Sequence, residues 1–339
     1  MLTYAIWNNK GGTGKTSMTF QVVCRLAQKS PAKKFLLVDM CPQANLSELM
    51  LGGMSNGGAK NLLTRQGQTP RCSVGGYFDA RLPAPFAPPV FKAADYITTP
   101  SNYNAVVPKN IDLVCGDPVL ELQAIAMNTL ANVDLPGVNA WLGVIDWLRD
   151  FLAQLTDDYD AVFIDTNPSF SMYTQIALSV ADRVILPVMA DDSSRRAIQN
   201  AFSLIYGVKL PSEVYAKYTF ATKLNAAKRD LPKVHLILKN RLTQYMGSAS
   251  AYAAVLSGID ADLKALIATH KQFFTFGKPS EGMVDVRDFQ TTGVVAFARG
   301  CPFSMMPTGK LTLNGHRVQV KPEYRDLALE SIDDVLKKL

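Results

Sequence analysis

Apolar positions along this chain fall into two alternating patterns. Short β-rich runs occur at Thr3–Trp7, Phe35–Asp39, Ile111–Cys115, Ala161–Asp165, Arg183–Met189, Val234–Leu238 and Val294–Ala298. Such continuous runs predict strands buried on both faces. Between them the spacing turns helical. Met18, Val22 and Leu26 repeat at every fourth residue, and Trp141, Ile145, Leu148, Phe151 and Leu155 form a second stripe. After Pro322, a third stripe runs through Tyr324, Leu327, Ala328, Ile332, Val335 and Leu339. Strands alternating with helices predict an α/β fold, a mostly parallel twisted sheet with helices on both faces.

Two stretches break the alternation. Residues Gly52–Asn110 are rich in Gly, Pro and Asn and include PAPFAPP, which reads as an elaborated loop segment with short helices. In KLTLNGHRVQV, Leu311 and Leu313 alternate before Asn314-Gly315, and Val318 and Val320 alternate after it. That predicts a β-hairpin at about 310–320. Neither stretch reads as a separate unit, so residues 1–339 are expected to form a single domain.

Composition removes several classes. With 48% hydrophobic and 19% charged residues, the 339-residue chain is a packed globule, not a coiled coil, a collagen or a disordered chain. Lys+Arg 35 against Asp+Glu 29 gives +6, which permits an anionic partner without demanding one. The five cysteines (Cys24, Cys41, Cys72, Cys115, Cys301) are odd in number and lack CxxC spacing, which suits a reducing compartment. No apolar run is long enough for a membrane span, and LTYAIW is too short for a signal segment, so a cytoplasmic location is expected. His235, His270 and His316 form no catalytic constellation.

The chemistry concentrates in NNKGGTGKTS, directly after the first strand. Gly11, Gly12 and Gly14 let the backbone curl so that its N–H groups face phosphate oxygens. Thr13 completes the loop, and the helix opening at Lys15 presents the end that favours negative charge. Lys15 suits β/γ-phosphates, the Thr16 hydroxyl suits Mg²⁺, and Ser17 closes the loop. The strict GxxxxGK[ST] pattern fails only at its first position, where Asn9 stands, and a second lysine, Lys10, precedes the glycine pair.

KGGTGKT resembles the deviant Walker A motif of the ParA/MinD family of P-loop ATPases. The resemblance implies ATP and Mg²⁺ as cofactors and an ATP-dependent homodimer, in which Lys10 reaches the partner's phosphates. VDMCPQANLS is similar to the family's DxDPQGN segment: Asp39 matches the first aspartate, Ala44 replaces the glycine and Cys41 replaces the second aspartate. In the family the first aspartate supports Mg²⁺ through water and the second orients the attacking water. A neutral thiol is a weak acceptor, so slow, partner-dependent hydrolysis is expected. YDAVFIDTNPS supplies Asp165 as the Walker B carboxylate, with Asn167 where the family often has proline. RVILPVMADD resembles the strand that carries an acidic residue, near Asp191, ahead of a dimer-face helix. HLILKNR offers Asn240 as the residue that reads the adenine edge, and PEYRDLALE resembles the final helix.

Family members act on DNA, on membranes or in metabolism. Between Gly207 and Lys239 lie Lys217, Lys223, Lys228, Arg229 and Lys233, interleaved with Tyr215, Tyr218 and Phe220 and faced by few acids. That composition suits nonspecific DNA phosphates. The C-terminal helix carries Glu323, Asp326, Glu330, Asp333 and Asp334, the wrong sign for an interfacial helix. The expectation is thus a nucleoid-associated, ParA-like ATPase that positions DNA or another cargo, with a ParB-like or adaptor protein as partner and no membrane. Two alternatives remain: a hydrolysis-impaired ATP-binding switch, and a MinD-like membrane-positioning ATPase. An iron–sulfur protein lacks cysteines in convincing context.

Overall fold

The computed structural model describes residues 1–189, 191–242, 250–313 and 315–339. Its main sheet is built from β1 (Leu2–Ile6), β2 (Phe35–Met40), β3 (Ile97–Thr98), β4 (Ile111–Val114), β5 (Ala161–Thr166), β6 (Arg183–Met189), β7 (Lys233–Leu242) and β8 (Met283–Arg287). The order is β3-β4-β2-β5-β1-β6-β7-β8. Every pairing is parallel except β3 with β4. Along β2, Leu36 and Val38 join one core while Phe35 and Leu37 join the other; on β5, Ile164 and Phe163 divide the same way. This period of two, with both sets apolar, is why the strands read as unbroken hydrophobic runs.

One predicted strand is corrected. Val294–Ala298 lies in the helix Gln290–Arg299, with Val295 and Ala296 buried and Val294 and Phe297 outward. A five-residue apolar run fits either period, and packing on the strand His316–Val320 and the helices Asn45–Met50 and Pro322–Leu336 decided for the helix. The eighth strand is instead β8, where Val284 and Val286 are buried and Asp285 is exposed. The Trp141–Leu155 stripe is also cut, at Asp146, into helices Ala140–Ile145 and Trp147–Ala153. The carboxylate of Asp146 binds Arg149 and Arg229 there.

Residues Gly52–Asn110 contain helices Gly58–Gln66 and Val74–Arg81 and pack into the main core through Tyr77, Phe78 and Tyr96. The buried carboxylate of Asp117 accepts hydrogen bonds from Arg71 and from the Ser73 hydroxyl, tying the segment to the end of β4. Arg81, almost wholly buried, ion-pairs with Asp150 over the Trp147 ring. The predicted hairpin is present as β9 (Gly309–Leu313) paired antiparallel with β10 (His316–Val320). Asn314 of its turn lies outside the described residues, and Gly315 has φ +80°.

Candidate nucleotide site

The site forms at the C-terminal ends of β1, β2, β5 and β6, the usual location for ligands in an open parallel sheet. β1 leads into the loop, which is held from below by Asn8. Its Nδ2 donates to the Pro187 carbonyl at the end of β6 (2.7 Å), and its Oδ1 accepts from Lys10 N (3.0 Å). Gly12 (φ 72°) and Gly14 (φ 88°) occupy left-handed conformations, and Gly14 caps the helix Lys15–Lys29. A Cβ at Gly14 would sit 2.3 Å from Asn240 Nδ2, so both backbone and space require glycine there.

The loop shows what it lacks. Thr13 Oγ1 and Asn9 Oδ1 are buried without hydrogen-bond partners among the described residues. Lys15 is buried, and its ammonium curls back to the carbonyls of Asn8 and Lys10, each at 3.3 Å. Burial lowers its pKa, against the opposing pull of the Asp165 carboxylate. A cation leaning on carbonyls beside a glycine nest is a site built for an anion.

Two carboxylates stand beside the loop. Asp39 on β2 and Asp165 on β5 are direct register partners, and neither is exposed. Asp165 accepts from the Thr16 hydroxyl (2.7 Å) and the Thr19 hydroxyl (3.3 Å). Asp39 accepts from Ser47 N (2.9 Å), Ser47 Oγ (2.7 Å) and Cys41 N (3.2 Å). Burial raises both pKa values well above the carboxylate range; the charge of Asp39 raises Asp165 further. Among the described residues no cluster of His, Cys, Asp and Glu could cage a metal ion. Thr16 with Asp39 and Asp165 nonetheless suits Mg²⁺, which keeps its waters and shares phosphate oxygens rather than filling an all-protein cage.

The strained pair makes a prediction. For Asp165 the folded pKa, raised to about 7, exceeds the unfolded one, so stability present at low pH is lost as pH rises toward neutrality. Asp165→Asn should therefore raise the thermal midpoint of the nucleotide-free protein by a few degrees at pH 8 and by almost nothing near pH 4. Scanning calorimetry at both pH values checks it; an equal shift at both would refute the assignment of the cost to ionisation.

Cys41 is buried, and burial followed by the charges of Asp39 and Asp165 pushes its thiol up to about 12. It is neutral at any working pH. Its side-chain neighbour is Asn167, whose Nδ2 approaches the sulfur at 3.9 Å. The two departures from the family's pattern thus face each other. Ala44, where the family has glycine, keeps the left-handed backbone (φ 51°) at the start of helix Asn45–Met50.

Lys10 does not point outward. Its ammonium bonds Asp191 and the Ser193 hydroxyl of the same chain. Asp191 is the N-cap of helix Asp192–Tyr206, with its other oxygen accepting from Ser194 N (2.8 Å) and Ser194 Oγ (2.9 Å). Burial pushes Asp191 up, but the bonds from Lys10, Ser193 and Ser194 outweigh it and hold the carboxyl at about 2.

Asn240, at the end of β7, donates from Nδ2 to Thr13 O (2.9 Å) and accepts at Oδ1 from Arg241 N (2.8 Å). One N–H and one lone pair remain. Beside it opens a cleft of about 710 Å³ bordered by Gly14, Ser17, Arg241, Phe289 and Phe297. A larger groove of about 940 Å³, around Lys239, Asp260 and Asp285, includes no part of the loop.

Of the basic residues singled out, Lys217, Lys228 and Lys233 are exposed. Lys223 lies over the Trp141 ring, and Arg229 pairs with Asp146 (2.6 Å). Lys233 opens β7 at the end of the sheet opposite the phosphate loop. Sequence reasoning missed Asn8, Thr19, Ser47 and Ser193. Only Asn8 had a signal, its place next to the motif; Thr19 and Ser193 act across long sequence separations, and Ser47 meets Asp39 eight residues away.

The family model AAA_31, described as an AAA domain, matches residues 1–213. The chain belongs to this family, within the ParA/MinD group of P-loop ATPases. It is 26% identical over 195 residues to the chromosome-partitioning ATPase Soj of Treponema pallidum, covering 56% of this chain and 57% of that one. Against the chromosome partitioning protein ParA of Myxococcus xanthus it is 29% identical over 186 residues, covering 55% and 51%. With the virulence plasmid ParA family protein pGP5-D of Chlamydia psittaci it shares 24% over 200 residues, 59% of this chain and 61% of the relative, so the match spans about three-fifths of that relative's length. The fold is similar to that of apo McdA from Cyanothece (TM-score 0.61, 14% identity, 99% of each chain). It is also similar to a plasmid partition protein from Borrelia burgdorferi (TM-score 0.54, 16% identity, 100% of this chain and 99% of that one).

Proposed function

We propose that this ParA/MinD-family ATPase is an ATP-controlled dimer that binds nonspecific DNA and drives partition or positioning of DNA or another cargo. The carrying observation is the loop: a glycine nest with Lys15, Thr16 and two buried carboxylates, and a second lysine, Lys10, beside it. The loop N–H groups and Lys15 would hold the phosphates of ATP; Thr16, with Asp39 and Asp165 behind it, would hold Mg²⁺. The cleft next to Asn240 would take the base. Bound Mg²⁺ supplies charge neutralisation on the phosphates. McdA of Cyanothece has been solved as an ATP complex, which supports the nucleotide assignment.

Hydrolysis is slow in this reading because Cys41 offers the attacking water no carboxylate. A ParB-like or adaptor protein would accelerate it. No helix among the described residues is long and apolar enough to cross a membrane. The test is binding to a fluorescent random-sequence duplex with ATP, ADP or no nucleotide at two salt concentrations. ATP-specific, salt-sensitive binding that is lost in Lys10→Ala is expected. Nucleotide-independent or absent binding would overturn the reading in favour of a regulatory nucleotide switch.

A further inference from the structure

The hairpin β9–β10 stands outside the main sheet, and an isolated two-stranded ribbon is marginal on its own. It persists because one face is anchored. Leu311 and Val318 are cross-strand partners that pack on the core beneath, and Val320 is buried. The register puts Lys310 opposite Gln319 and Thr312 opposite Arg317, so these four share the other face. All four are exposed. From Gly309 to Lys321 the sequence contains no acidic residue. Neither Lys310 nor Arg317 has an ion-pair partner among the described residues. Lys321 extends the strip, lying over the exposed Tyr324 ring. Asp288 and Glu323 are the acids at its margin.

In the stretch Gly207–Lys239, Arg229 is neutralised by Asp146 and Lys223 rests on Trp141, while Lys217, Lys228 and Lys233 are exposed. The position differs. Leu313, at the hairpin's inner end, lines the same cleft as Gly14 and Asn240. Lys233 lies seven residues before Asn240 on β7, about 23 Å away along the strand. The hairpin therefore borders the nucleotide cleft, whereas the start of β7 is remote from it.

We infer that the outer face of this hairpin is a nucleic-acid contact, a cationic ribbon whose Lys310 and Arg317 engage phosphates of duplex DNA without reading base sequence. Unpaired cations on a two-stranded ribbon, with Thr312 and Gln319 able to hydrogen-bond phosphate oxygens, match a polyanion's backbone. A lipid surface fits less well. Interfacial elements insert large apolar side chains, and here those face the protein core. Because Leu313 lines the cleft, a nucleotide seated there would bear directly on the ribbon's placement. The inference rests on the DNA-binding reading above.

The test compares the full-length protein with Lys310→Ala/Arg317→Ala and Lys217→Ala/Lys228→Ala, using a labelled random-sequence duplex with ATP over a range of salt. Fluorescent-ATP binding serves as the folding control and should be unchanged in both double variants. Lys310→Ala/Arg317→Ala is expected to weaken DNA binding about 10-fold and to reduce the salt slope by about 2. Unchanged affinity and slope in that variant, or a loss confined to Lys217→Ala/Lys228→Ala, would overturn the hairpin assignment while leaving DNA binding intact. Absence of ATP-dependent binding by the unaltered protein would instead overturn the DNA-binding reading itself. Pelleting with phosphatidylcholine–phosphatidylglycerol vesicles that is lost in Lys310→Ala/Arg317→Ala, with DNA binding unaltered, would overturn the choice of partner.

Discussion

Cys41→Asp is expected to raise ATP turnover at least several-fold. A positioned base typically contributes about 10²–10⁴-fold, so the gain has room to be larger. The structure gives the reason in terms of one atom pair. Where the family places a water-orienting carboxylate, this chain has a buried thiol pushed up to about 12, with Asn167 Nδ2 as its neighbour at 3.9 Å. Neither group accepts strongly from water: the thiol is neutral and the amide nitrogen donates. An aspartate at 41 would regain two acceptor oxygens, and Asn167 would donate to it. Cys41→Ser is the control, since a neutral hydroxyl of similar size restores polarity without charge. Phosphate release measured with and without DNA separates them. Equal rates for Asp, Ser and Cys at this position would refute the assignment.

The same substitution should lower the thermal midpoint of the nucleotide-free protein. Asp39 and Asp165 already repel each other in the buried floor of the site. A third carboxylate beside them adds to that repulsion, and its own pKa would rise. The cost grows as pH rises from the ordinary carboxylate range toward neutrality, by the same linkage that governs Asp165. The two outcomes together would mean that cysteine trades catalytic capacity for a more stable empty site, the usual opposition between stability and activity.

Much of this was legible in the sequence because the chemistry is contiguous. The glycines, Lys15 and Thr16 occupy one turn, and that turn's position after an apolar run and before a helical stripe marks it as the candidate phosphate loop. Asp165 stood out at the end of an apolar run and Asp39 through the resemblance of VDMCPQANLS, and it is the sheet order that makes them neighbours. Pairing between side chains outside the motifs left no local trace. Ser47 holds Asp39, and Ser193 meets Lys10, yet neither residue type marks such a role in advance. Val294–Ala298 failed for a different reason: five apolar residues carry no period, and Val294 and Phe297 face out only because the helix packs with its other side. Val284 and Val286 did alternate with polar neighbours, so the strand there had a signal that went unread.

Lys10 carries the last prediction. In the single chain its ammonium is occupied by Asp191 and Ser193, so a reach across a dimer requires that clasp to open. The pair is partly solvated, with side-chain exposures of 25% and 41%, which limits its worth to about 1 kcal/mol per chain. Asp191→Ser should release Lys10 while keeping a competent N-cap for helix Asp192–Tyr206, because serine caps nearly as well as aspartate. Two clasps open per dimer, about 2 kcal/mol together, so the ATP-bound dimer should tighten by up to about 30-fold. Lys10→Ala should do the opposite and abolish the dimer, since two facing triphosphates would then repel without a cation in trans. Sedimentation velocity with a non-hydrolysable ATP analogue reads both effects. A weaker dimer in Asp191→Ser would mean that Asp191 orients Lys10 for its partner instead of restraining it, and an unchanged dimer in Lys10→Ala would remove Lys10 from the interface altogether.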